Sequence, residues 1–154
     1  MLEEASVKVL AGPEKKSAVV TEEEKRLVSY HEAGHAIIGR TLKHTDPVHM
    51  VTIVPRGDAG GFTYTVPDEE TSFYTRSKMI DMMIMLLGGR AAEDMKLNDI
   101  STGASNDIER VTKIAHAMVA KYGMSQKIGT LNYSDDEGQS FIGNTIGPVS
   151  YTHL

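Results

Sequence analysis

Leu27, His31, His35, Ile38 and Leu42 recur at helical spacing, so one face of a helix carries three aliphatic side chains and two imidazoles. The helix is expected to open just after residue 20. Thr21 can cap it, Glu24 can reach back as the capping-box partner, and the acidic run TEEE suits the positive helix end. The period then shortens to two. VHMVTIVP (48–55) and FTYTVP (62–67) read as strands joined by the loop RGDAGG, with Pro55 and Pro67 ending them. From about Ser72 to Lys96 the pattern predicts a helix apolar nearly all round, hence central, whose Met79, Met82, Met83 and Met85 read as core filler. STGASND (101–107) reads as a turn into a further helix that runs to Tyr122 and closes at Gly123. Ahead of this unit, residues 2–10 read as the end of a helix stopped by Gly12 and Pro13, followed by the polar linker EKKSAVV and a boundary near residue 20. LNYSDDEGQSFIG (131–143) reads as loop with a short strand, and GPVSYTHL shows neither period nor cap. The expected fold is mainly α, with a small β-hairpin.

Composition narrows the chemistry. A formal net charge of −5 without a basic cluster argues against a nucleic-acid partner. The absence of cysteine excludes thiolate ligands, so any metal must be held by nitrogen and oxygen. The opening MLEEASVKVL is charged and amphipathic, unlike a signal peptide. The richest apolar run, MIDMMIMLL (79–87), is interrupted by Asp81 and falls well short of the roughly 20 residues of a membrane span. As given, the polypeptide reads as soluble.

The segment YHEAGHAIIG (30–39) carries the chemistry. Residues i and i+4 stack on one helical face, so His31 and His35 can direct two ring nitrogens at one zinc ion. Glu32, about 100° further round, stands beside that ion, as a general base must. Ala33, Gly34, Ala36 and Gly39 leave room on the surrounding faces. The alternative is two polar residues on a solvated face. A catalytic site also needs a third protein ligand. Asp107 heads a stripe completed by Val111, Ile114 and Met118, all within about 40° of it on a regular helix. A carboxylate there is costly unless a cation or hydrogen bonds meet it, although backbone N–H groups at the helix start could do so instead. Glu93 in GGRAAED is the rival ligand. His116 lies opposite Asp107 and reads as exposed, while His44, His49 and His153 have no partner at i+4.

YHEAGHAIIGR, DPVHMVTIVPRG, LLGGRAAED and STGASNDIERVTKIAHAMVAKYGMS together resemble the peptidase domain of the FtsH/paraplegin-type membrane-anchored, ATP-dependent zinc metalloproteases, over about residues 3–143. The resemblance implies a zincin-like helical peptidase holding one zinc ion through His31, His35 and Asp107, with Glu32 as base. It thereby favours Asp107 over Glu93. It implies endopeptidase chemistry by a zinc-activated water, on unfolded or membrane-extracted proteins fed through a homo-hexameric ATPase ring. By the same resemblance, residues 1–20 are the remnant of the ATPase lid helix and its linker. Residues 21–143 are the peptidase domain, truncated at its C-terminal helices, and 144–154 an unstructured tail foreign to the family. No G-x-x-x-x-G-K-[ST] occurs, so ATP belongs to a module outside this chain, as does the membrane anchor. The parent protein would sit in a bacterial plasma membrane or an organelle membrane, with this domain on the soluble side. A protease for unrelated chains must grip backbone, and the alternating segment Gly61, Phe62, Thr63, Tyr64 and Thr65 is the candidate substrate strand; the alternative is an ordinary hairpin strand. The rival function is a non-catalytic, metal-stabilised interaction or oligomerisation module.

Overall fold

Helix α1 spans Glu22–Thr41 and begins where its sequence signals lie: the Thr21 side chain accepts from the Glu24 N–H, and the Glu24 carboxylate accepts from the Thr21 N–H. The structure, a computed structural model, describes residues 12–14, 19–56, 59–67 and 72–134. The expected helix at 2–10, any strand beyond residue 134 and the tail at 144–154 lie outside the described residues. Three α-helices and one two-stranded antiparallel sheet make up the described fold, mainly α as the sequence predicts.

The hairpin joins β1, Val48–Thr52, to β2, Phe62–Thr65. Both strands stop before their prolines, shorter than the alternation suggests. An irregularity between Val48 and Met50 interrupts the register on β1, whereas β2 pairs residue by residue. Beyond the strand, the Val66 N–H donates to the Pro47 carbonyl (3.1 Å). Because N–H direction alternates along a strand, the N–H groups of Thr63 and Thr65 point to the opposite, outer edge. Among the described residues, no strand pairs with that edge.

Helix α2 runs over Arg76–Leu97, capped by Thr75 rather than starting at Ser72, which leaves Phe73 and Tyr74 exposed before it. It is less central than its composition suggests. Met79, Leu86, Gly88, Gly89 and Glu93 are buried, but Ile84, Leu87 and Met95 face outward. Its contact with α1 is a close crossing at glycines. A Cβ on Gly34 would lie 2.3 Å from the Gly88 carbonyl oxygen, and a Cβ on Gly88 would lie 2.8 Å from that of Gly34. Gly39 likewise admits Met85 and Val48.

After a short 3-10 turn, Thr102–Ala104, helix α3 covers Ser105–His116. The expected continuation to Tyr122 is not a regular α-helix: Ala117–Lys121 is a π-turn, with the Tyr122 N–H donating to the Ala117 carbonyl (2.9 Å). Gly123 closes it at φ 58°, a left-handed position that suits glycine. Met118 and Ala120 stay buried through the change of pitch.

Candidate metal centre

His31, Glu32 and His35 are buried, at 8%, 6% and 7% exposure, so the solvated-face reading of the motif does not hold. Room for the two rings comes from across the helix crossing. A Cβ on Gly89 would lie 2.5 Å from the Nε2 of His31 and 2.6 Å from that of His35, so only glycine fits there without moving the imidazoles. Asp107 arrives from the first turn of α3, its stripe-mates Val111 and Ile114 half-buried and Met118 buried. His116 is exposed, as expected.

The three candidate ligands converge. Nε2 of His31 and Nε2 of His35 are 2.9 Å apart and lie 3.4 and 3.3 Å from Asp107 Oδ2. Of the described residues, these alone form a group able to hold a metal ion. Their tautomers follow from what lies behind them. The Nδ1–H of His35 donates to the Met85 carbonyl (2.8 Å), which can only accept. The Nδ1–H of His31 donates to Glu93 Oε1 (2.6 Å). With Nδ1–H so engaged, neutral rings would turn two Nε2 lone pairs and the Asp107 carboxylate oxygen toward one point, a set that suits a cation. Bonds of about 2.0–2.1 Å in tetrahedral geometry place ligand atoms about 3.3 Å apart, which the two histidine–carboxylate separations match.

Glu93 lies outside this converging group and instead meets the His31 ring from behind. It is fully buried, and its Oε2 accepts from the Ser101 N–H (2.8 Å). Burial pushes its pKa up, but that N–H and the His31 ring outweigh it and hold the carboxyl below its ordinary range. Carboxylate–histidine pairs of this kind fix ring orientation and raise ligand basicity. Burial also opposes the ionisation of Asp107, yet the two imidazoles prevail and keep it well below its usual value. For His31, burial favours the neutral ring, but Asp107 and Glu93 raise its pKa.

The centre lines a cleft of about 360 Å³ whose walls include Gly61, Phe62, Thr63 and Thr65 on one side and Met82, Met85 and Leu86 on another. Glu32 faces the same cleft. Its Oε2 accepts from the Thr63 hydroxyl (2.7 Å), a contact no local pattern announces because it joins residues 31 apart. Of the candidate substrate strand, Gly61 is buried and Phe62 to Thr65 are half-buried, with Tyr64 the one of the five that does not line the cleft. His44 instead pairs with Asp81 (2.8 Å), away from the centre.

The sequence profile of Peptidase family M41 matches residues 18–152. Over 142 residues the chain is 55% identical to a protein of Alkaliphilus metalliredigens named ATP-dependent zinc metalloprotease FtsH 2, covering 92% of this chain and 21% of that protein. ATP-dependent zinc metalloprotease FtsH 1 of Thermoanaerobacter sp. is 51% identical over 146 residues, covering 95% of this chain and 24% of that protein. ATP-dependent zinc metalloprotease FtsH of Halothermothrix orenii is also 51% identical over 146 residues, covering 94% of this chain and 23% of that protein. The chain thus spans about a fifth to a quarter of the length of the curated relatives it matches.

Proposed function

Because this chain belongs to peptidase family M41, we propose that it is the peptidase unit of an ATP-dependent zinc endopeptidase and that His31, His35 and Asp107 hold the zinc. One observation carries the reading: three lone-pair donors face a single point, with both Nδ1 atoms already committed elsewhere. Zinc held there supplies a Lewis acid that acidifies water and polarises a carbonyl. The rest falls to the chain's own side chains. Glu32, in the same cleft, takes the proton of the attacking water on a carboxylate oxygen and delivers it to the leaving amide nitrogen. Glu93 and the Met85 carbonyl keep both imidazoles in the tautomer that leaves Nε2 free.

Residues 21–143 are the peptidase unit in this reading, and 1–20 a connection from the ATPase module. Substrates are unfolded or membrane-extracted polypeptides delivered by a homo-hexameric ring, and membrane attachment belongs to the parent protein. Within the described residues no helix is long and apolar enough to cross a membrane. The outer edge of β2 is the proposed substrate platform, supported by the outward N–H groups of Thr63 and Thr65 beside the cleft, with which no strand pairs among the described residues.

The test compares zinc content with cleavage of an unfolded polypeptide. Glu32→Gln should keep one zinc per chain and lose turnover by about 100-fold or more, the scale of general-base catalysis. Full turnover in that variant contradicts the assignment of the base; bound zinc without turnover in the native protein favours the metal-stabilised module. Thr65→Pro, which removes an outer-edge donor, should weaken substrate binding while keeping zinc. Unchanged KM would remove β2 as the platform.

A further inference from the structure

β2 and the glycine just before it both approach Glu32 rather than the candidate metal ligands. The Thr63 hydroxyl lies 2.7 Å from Glu32 Oε2 and 3.3 Å from the Glu32 carbonyl oxygen. A hydroxyl has one proton to give, and the shorter contact to the charged acceptor takes it. Two residues earlier, just before the strand, Gly61 brings the backbone against the stem of the glutamate. A Cβ there would lie 3.1 Å from Glu32 Cγ, 2.7 Å from Val28 Cγ1 and 2.6 Å from the Thr52 carbonyl oxygen. The carboxylate is thus packed at its stem and held at its head by one strand. Among the described residues, Thr63 supplies the side-chain hydrogen bond to that carboxylate.

We propose that Thr63 is a positioning residue for the reaction: its hydroxyl fixes Glu32 by Oε2, leaving Oε1 to exchange the proton. This rests on the metallopeptidase reading above. A glutamate has three rotatable side-chain bonds, so an unheld carboxylate would spend much of its time turned away from the donor triangle, whereas the branched Thr63 has a stiff χ1. The consequence joins two roles in one element. The strand whose outer edge is proposed to align substrate also aims the base, so the scissile bond and the proton acceptor share one frame.

Thr63→Val keeps the shape and the outer-edge N–H but deletes the donor. In the zinc-loaded chain it should lower kcat about 10- to 100-fold, the cost of a small misplacement of a reacting group, with KM within about twofold. Zinc affinity should not change. Thr63→Ser, which restores the hydroxyl, should recover kcat to within about threefold of native. A readout independent of turnover is the cycle of melting temperatures for Thr63→Val, Glu32→Ala and the double variant, in which the two losses should not add. If Thr63→Val does not fold, Thr63→Ala deletes the donor without a clash, and failure of both marks a purely structural hydroxyl and overturns the proposal. Native kcat in Thr63→Val with additive melting shifts also overturns it. If Glu32→Gln retains turnover, the base assignment itself fails, an outcome distinct from failure of the clamp.

Discussion

His31 and His35 were legible as a pair because four residues of helix suffice to stack them, and Asp107 because a carboxylate at the head of an apolar stripe is anomalous. Glu93 showed only that it was out of place. Its role depends on a hydrogen bond to a residue 62 positions away, and no local pattern encodes such a distance. The same holds for Thr63 against Glu32. These residues also set opposing pH dependences. In the metal-free protein His31 has a raised pKa, so its contribution to stability is complete below the ordinary 6.5 and is lost as pH rises through the raised value. Asp107, held low, contributes above its ordinary 3.8 and loses that contribution as pH falls. Metal binding needs neutral imidazoles, so zinc occupancy runs the other way and strengthens with pH. As pH rises above about 6.5 the melting temperature of chelator-treated protein should fall, while the stabilisation added by zinc should grow. Parallel curves with and without zinc would contradict the site's electrostatics.

At the scale of elements, α1 was legible from its capping box and period, and the hairpin from alternation bounded by proline. Boundaries were less so. Both Ser72 and Thr75 can cap, and the sequence does not say that Phe73 and Tyr74 stay outside the helix. Nor does it announce the π-turn at Ala117–Lys121, through which Met118 and Ala120 stay buried. The Gly-Gly pair at 88–89 is the clearest case of meaning supplied by tertiary structure, since both residues are buried against α1, one under its backbone and one under its histidines. The two should fail differently. Gly34→Ala forces a Cβ into the Gly88 carbonyl and should cost about 1–3 kcal/mol of stability, read by denaturant unfolding. Gly89→Ala meets the imidazoles instead and should chiefly lose zinc. Equal zinc affinity in Gly89→Ala and the native protein would mean the rings have more freedom than the crossing allows.

Across the whole molecule, the proposed centre lies where three elements meet: α1 carries His31, Glu32 and His35, α3 carries Asp107, and α2 gives the glycine gap and the Glu93 behind His31. β2 adds the Thr63 hydroxyl on Glu32. The fold class was legible because its strongest signals are periodic and local, and His31, His35 and Asp107 stood out as candidates because each broke its own local pattern. The assembly between them was not, because it depends on how closely the elements approach. Zinc affinity measured by chelator competition on single variants tests that assembly most directly. His31→Ala, His35→Ala and Asp107→Ala should each abolish stoichiometric binding. Glu93→Gln should weaken it by about 10- to 100-fold, as loss of a supporting carboxylate does. Native zinc affinity in Asp107→Ala, with binding lost in Glu93→Gln, would contradict the account.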